Sequence, residues 1–282
     1  KVCPASENHG IQFLRTDILT KDPIIKAVYN SVSDTNFSTK ISNCEGISVQ
    51  TIEHLMAALA GTGIHNALIK IDGPELPILD GSSREFVKLI LSTGKRALPA
   101  PVNGFKVIKE ITVQDGLAWA KFSPADSLSI DFSIDYSDTI IGCQNLRLSM
   151  MNGAFVRELC DSRTFCRESE ISLLKSKGMA KGGSLDNAIV LESTKIRNID
   201  GLRRTDECVR HKMLDAMGDL SLAGGPIIAA FSSNLGGHTL TNKLLRAAFS
   251  NEGSMIPTKI IKNRATQLPG FGLRKSDLCN LN

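Results

Sequence analysis

In the stretch DECVRHKMLDAMGDL, His211 and Asp215 are four residues apart and Asp219 follows after another four, so on a helix all three project from one face. An imidazole and a carboxylate at that spacing can ligate a metal, and the same pair also serves as a solvent-facing or capping pair; the string alone does not choose. Val209, Met213, Ala216, Met217 and Leu220 supply apolar contacts on the remaining surface, which places the polar stripe in a cleft between packed faces. A second string, TIEHL, sets Glu53 beside His54 at the start of an apolar helix. There a Glu ordinarily complements the helix dipole and a lone His is ordinarily a core or boundary residue. In a third, GGHTLTN, Gly236 and Gly237 give a permissive backbone that can bring His238 into a cleft or merely turn the chain. Together, two histidines and one aspartate make an open three-ligand zinc shell, with Glu53 and His238 left over as acid–base groups. Zinc lowers the pKa of its water toward ~7 and polarises a carbonyl, while a carboxylate takes the proton and an imidazolium returns one to a leaving amine. That chemistry is amide hydrolysis, although the HExxH helix of common metalloproteases is absent from the sequence.

These residues need elements to hold them. Short apolar runs alternating with Ser, Asp, Asn and Thr over residues 1–50 predict strands and turns. Ile52, Leu55, Met56 and Leu59 then recur at helical spacing, predicting a helix over about 51–60 that stops at Gly61 and Gly63. NALIKIDGP alternates as a strand, LPILDGS turns, and Ser82 with Glu85 forms a capping box for the helix SREFVKLILSTG. ALPAPVNG, 97–104, is the linker, giving a boundary near residue 100. Beyond it FKVIKEITVQDG, LAWAKFSP and LSIDFSIDYS read as strands, followed by a predominantly helical segment through 177. The segment 162–193 reads as helix, glycine-rich turn and short strand, a long helix spans about 206–222, and PIIAAFSS is one buried strand. The tail from about 250 has little periodicity and is expected to be partly disordered.

Composition narrows the class. A chain of 282 residues is one large or two ordinary domains. Its formal charge of +4 and its single Trp and two Tyr give neither the basic footprint nor the stacking platforms of a nucleic-acid binder, while permitting an anionic substrate. No window approaches the ~20 apolar residues of a membrane-spanning helix. Seven scattered cysteines without a CxxC fit reduced thiols better than a disulfide framework. The first residue is Lys1 rather than Met, which leaves a targeting signal open.

Five blocks, TIEHLMAALAGTGIHNALIKIDGPELPILDGS, SRTF, KGGSLDNAIV, DGLRRTDECVRHKMLDAMGDL and GGHTLTNKLL, in this order and spacing, resemble the UDP-3-O-acyl-N-acetylglucosamine deacetylases of lipid A biosynthesis. The resemblance covers roughly residues 10–250. It implies an α+β fold in which two related β-α-α-β layered domains, 1–98 and 104–250, pack their helices inward around zinc, with residues 251–282 as a tail. It places the zinc ligands on His54, His211 and Asp215, the base that activates zinc-bound water on Glu53, and the general acid on His238 with Asp219 orienting it. Thr164 falls where a hydroxyl meets the oxyanion, Phe165 near sugar and nucleotide, and Lys212 at a substrate contact on the diphosphate side. An insertion near 165–195 is implied to form an acyl passage lined or supported by Ile171, Leu173, Leu174, Met179, Ala180, Leu185 and Ala188, a stripe that equally suits plain core.

The resemblance further implies a cytoplasmic monomer that releases acetate from the 2-amide of UDP-3-O-acyl-N-acetylglucosamine without nucleic-acid partners or membrane insertion. A noncatalytic homologue binding nucleotide sugar or lipid is the alternative. Three departures stand out. A further strand precedes the segment corresponding to Lys1 in the family, Cys166 stands where glycine is usual, and Glu170 where aspartate is usual. Cys166 has no histidine near it in sequence and reads as a free thiol rather than a nucleophile.

Overall fold

The computed structural model describes residues 1–176 and 182–281. Its mixture of helices and separate sheets is an α+β fold, as the sequence implied. The first part of the chain supplies β1 (Val2–Pro4), β2 (Ile11–Arg15), β3 (Ile24–Lys26), β4 (Val32–Asp34), β5 (Lys40–Ser42), β6 (Ser48–Val49), helix α1 (Glu53–Thr62), β7 (Ala67–Ile71) and helix α2 (Arg84–Thr93). These strands form a four-stranded sheet in the order β1-β7-β2-β3 and a three-stranded one, β4-β5-β6. The chain then supplies β8 (Val102–Val107), β9 (Ile111–Asp115), β10 (Ala118–Ser123), β11 (Ser129–Tyr136), β12 (Gly142–Ser149), a π-helical turn Phe155–Leu159, β13 (Phe165–Arg167), α3 (Glu168–Ser176) and β14 (Ile189–Leu191). It ends with α4 (Glu207–Ser221), β15 (Ile227–Ile228), β16 (Ala230–Asn234), α5 (His238–Ser250) and β17 (Met255–Ile260). Here the main sheet runs β12-β11-β16-β10-β9, beside a small one, β15-β8-β17, and the parallel pair β13-β14.

Among the described residues no sheet mixes strands from before and after the 97–101 segment; the most extensive packing between the two parts is α1 on α4. Helix α4 is buried on nearly every side, from Glu207 to Leu220, so its polar stripe faces protein rather than bulk water. The helices approach closely at Gly218, where a Cβ would stand 2.2 Å from the Glu53 carbonyl oxygen. Only the missing side chain lets the two backbones meet there.

Several local expectations are corrected. Residues 142–149 are an extended edge strand, not part of a helical segment: alternate positions such as Cys143, Asn145 and Arg147 face outward, and only Leu146 and Leu148 give the inward side an apolar signal. PIIAAFSS is two strands in two sheets, β15 beside β8 and β16 between β11 and β10. The capping box does not close, because the Ser82 hydroxyl accepts the Arg84 N–H at 3.1 Å and Glu85 instead meets Lys88 at 3.2 Å. In the tail, Met255–Ile260 pairs along β8, and Pro257 is tolerated because β17 is an edge strand.

Candidate active site

Thr51 enters α1 with φ +59°, a costly conformation for a β-branched residue, and its hydroxyl donates to Glu75 at 3.0 Å. The turn delivers Glu53 and His54 as the first two helical residues, both about 4% exposed. The DGSS turn that follows β7 holds this end of α1, since the Ser83 hydroxyl donates to the His54 carbonyl at 2.7 Å. From the facing helix, His211 and Asp215 are 2% and 5% exposed. Although distant in sequence, His54 meets them: Asp215 Oδ1 lies 3.6 Å from His54 Nε2 and 3.3 Å from His211 Nε2, with the two imidazoles edge to face. One donor atom from each of the three lies within 4.8 Å of the others.

A divalent metal fits this group on several counts. Asp215 Oδ1 is buried and has no hydrogen-bond partner among the described residues, an arrangement costing about 1–3 kcal/mol if nothing binds there. For bonds of ~2.0–2.1 Å a tetrahedral edge is about 3.3–3.4 Å, close to the Asp215–histidine separations. His211 Nδ1 donates to the Ser162 carbonyl at 3.0 Å, which fixes the tautomer with Nε2 bare toward Asp215. Burial, only partly opposed by Asp215, pushes the His211 pKa down to about 4, so the imidazole is neutral as a ligand must be. Burial works against the Asp215 charge as well, but the positive charges around it, the Lys212 ammonium 2.9 Å from Oδ2 among them, hold its carboxyl well below the usual range.

Beside this group stand Glu53 and His238, the candidate acid–base residues. Burial raises the Glu53 pKa against the opposing pull of His238 and His54. Asp219, one turn beyond Asp215, accepts the His238 Nδ1–H on Oδ2 at 2.7 Å, leaving Nε2 as the other ring nitrogen. Burial disfavours the imidazolium, yet the Asp219 carboxylate, helped by Glu53 and Asp215, outweighs it and lifts His238 to about 9.

The strand segment after Ser162 is tied down from two sides. Thr164 donates its N–H to the Gly81 carbonyl at 2.8 Å, and Gly81, at φ +81°, has no room for a Cβ against the Asn187 carbonyl. Next to it, Arg163 forms a buried pair with Glu207, Nε to Oε1 at 2.9 Å, pinning the same segment to the first turn of α4. Phe165 presents its ring edge-on to His211, 6.1 Å between centroids, and also meets Tyr136.

Other site residues named from the sequence are placed differently. Lys212 is committed to Asp215. Glu170 accepts the Arg167 N–H at 2.9 Å and pairs with its guanidinium, so it caps its own loop. Ile171 and Leu173 lie on α3, Leu173 and Leu185 are exposed, Ala188 is half-buried, and Met179 and Ala180 fall outside the described residues. Cys166 is half-buried and burial raises its thiol, the wrong direction for a nucleophile.

Two contributors escaped the sequence reading. The Ser162 carbonyl is a backbone acceptor, invisible in residue types, although its residue opens the SRTF string. Thr39 touches both Glu53 and Asp219, and nothing in DTNFSTKIS marks it.

Known proteins resemble this chain over most of its length. A UDP-3-O-acyl-N-acetylglucosamine deacetylase from Haemophilus influenzae (strain 86-028NP) is 45% identical over 251 residues, covering 88% of this chain and 82% of the relative. One of the same name from Pasteurella multocida (strain Pm70) is equally similar, and one from Phenylobacterium zucineum (strain HLK1) is 42% identical over 246 residues, 87% of this chain and 84% of its own. The family model described as UDP-3-O-acyl N-acetylglycosamine deacetylase matches residues 1–250. The chain therefore belongs to the UDP-3-O-acyl N-acetylglycosamine deacetylase (LpxC) family.

Proposed function

We propose that this protein is a zinc-dependent hydrolase that removes acetate from the sugar amide of UDP-3-O-acyl-N-acetylglucosamine, leaving UDP-3-O-acyl-glucosamine for lipid A biosynthesis. The observation that carries the reading is the convergence of His54, His211 and Asp215 beside a buried carboxylate and a buried His–Asp pair, in a chain 45% identical to proteins bearing that enzyme's name. His54, His211 and Asp215 would hold a zinc ion, which when bound would supply Lewis acidity toward the amide carbonyl and acidify water at the site toward a pKa of ~7. Glu53, buried, takes a proton from the attacking water; burial has raised its pKa, which strengthens it as a base. His238, kept protonated by Asp219, gives its Nε2 proton to the departing nitrogen, so that one water and one amide become acetate and a free amine. Thr164, fixed by its backbone bond to Gly81, offers its hydroxyl to the developing oxyanion, and the Phe165 ring borders the sugar. The two sheet-bearing parts on either side of the 97–101 segment act as two domains, with the site between α1 and α4. The α3 segment borders the acyl chain.

Acetate release from UDP-3-O-acyl-N-acetylglucosamine, measured with metal content on the same sample, tests the reading. Turnover should vanish on chelation and return with zinc. Glu53→Gln should retain zinc and lose about 10²–10⁴-fold in kcat. His54→Ala and Asp215→Ala should lose the metal itself. Acetate release indifferent to chelation, or unchanged in Glu53→Gln, refutes it.

A further inference from the structure

The acid–base groups come from distant parts of the chain: Glu53 opens α1, Asp219 lies on α4 and His238 opens α5. A residue outside those helices reaches both sides. Thr39, in the segment joining β4 to β5, is 1% exposed. Its backbone N–H donates to Glu53 Oε2 at 3.1 Å, and its hydroxyl lies 2.6 Å from Asp219 Oδ1. An ionised carboxylate only accepts, so the threonine hydroxyl is the donor. Asp219 thus receives one hydrogen bond on each oxygen, from Thr39 on Oδ1 and from His238 on Oδ2 at 2.7 Å. The carboxylate cannot swivel without breaking one of them, and the imidazole direction is fixed by the second. The Thr39 segment is itself anchored across the molecule, with the Thr35 hydroxyl 2.8 Å from that of Thr239, the neighbour of His238.

We infer that Thr39 is a positioning residue of the reaction: its hydroxyl locks the Asp219 carboxylate so that His238 presents Nε2 to the leaving nitrogen, while its N–H holds the Glu53 carboxylate in register with it. Its N–H bonds Glu53 and its hydroxyl bonds Asp219, neither of them a candidate metal ligand. The inference rests on the deacetylase reading above, and its test separates the two.

Thr39→Val keeps the shape and the N–H and removes the hydroxyl; Thr39→Ser keeps hydroxyl and N–H and removes the methyl. In zinc-loaded full-length chain, Thr39→Val should lower kcat about 10- to 100-fold with KM within about twofold and zinc stoichiometry unchanged, the loss expected for a charge-assisted bond that orients an acid catalyst. Thr39→Ser should stay within about threefold of the parent although it too loses packing, an ordering that a purely structural role would not give. A second readout is independent of turnover: the His238 Nδ1 proton, held against Asp219, should give a slowly exchanging downfield NMR resonance in the parent and in Thr39→Ser, lost or moved in Thr39→Val. If Thr39→Val does not fold, Thr39→Ala takes its place with the same expected ordering. Parent kcat and an unmoved resonance in the hydroxyl-free variant overturn the inference, as does a Ser variant as impaired as the Val one. Should the parent release no acetate, the deacetylase reading falls while the resonance still decides whether Thr39 fixes Asp219.

Discussion

Replacing Gly218 by alanine reverses an ordinary rule. In a helix interior Ala is favoured over Gly by about 1 kcal/mol, so on propensity alone Gly218→Ala should stabilise α4. The structure opposes this, because the new Cβ would stand 2.2 Å from the Glu53 carbonyl oxygen, 2.9 Å from its carbon and 3.1 Å from its Cα. All three are backbone atoms and no rotamer moves them aside. Bringing the carbon–oxygen approach back to an ordinary ~3.3 Å requires about 1 Å of separation between α1 and α4, the two helices that carry the candidate ligands. Overpacking of this kind costs about 1–3 kcal/mol, and the helix gain of about 1 leaves a net loss of up to ~2 kcal/mol. For a chain of this size that is a fall in Tm of a few degrees, roughly 2–4 °C per kcal/mol. The effect on turnover should be larger, since a displacement of ~1 Å at a reacting group can cost about 10²-fold. Denaturant titration and acetate release on the same preparation give both numbers. A more stable Gly218→Ala variant with parent turnover would refute the close-approach argument.

Other outcomes follow from the same geometry. With His238 lifted from 6.5 to about 9, its pairing with Asp219 contributes stability fully present below about pH 6.5 and lost as pH rises through about 9. Turnover that needs the protonated ring should decline on the same alkaline limb, and Asp219→Asn should move that limb to lower pH; a pH–kcat profile checks both. Lys212→Met removes the counter-charge 2.9 Å from Asp215 Oδ2 and should cost the metal-free protein about 3 kcal/mol, but the zinc-loaded protein distinctly less, because the ion then supplies the balancing charge. Melting with and without zinc reads the difference, and equal losses would contradict it. Alkylating the exposed Cys44, Cys143 and Cys279 should leave activity intact, with Cys160 and Cys208 protected by burial, which pushes Cys208 up to about 12; inactivation tracking thiol loss would revive a cysteine mechanism.

Local pattern made much of this legible. A repeat of four puts His211, Asp215 and Asp219 on one face whatever the tertiary context, and apolar spacing located α1 and α4 to within two residues, because helical geometry is set by neighbours along the chain. The strand Gly142–Ser149 was missed because only two leucines mark its inward side, and the break between β15 and β16 because a continuous apolar run does not say which sheet each residue joins. Tertiary structure alone decided the rest. The sequence places Glu53 and His54 in one helix and the aspartates in another, but a missing Cβ at Gly218 brings those helices within reach. The fixing of the His211 tautomer by the Ser162 carbonyl, and the bridge from Thr39 to Glu53 and Asp219, join partners with no common period. Residue type and spacing encode what a side chain can do and which way it points along its own element. Which distant group it meets in a dry interior, and hence which charge it carries there, depends on how the elements pack.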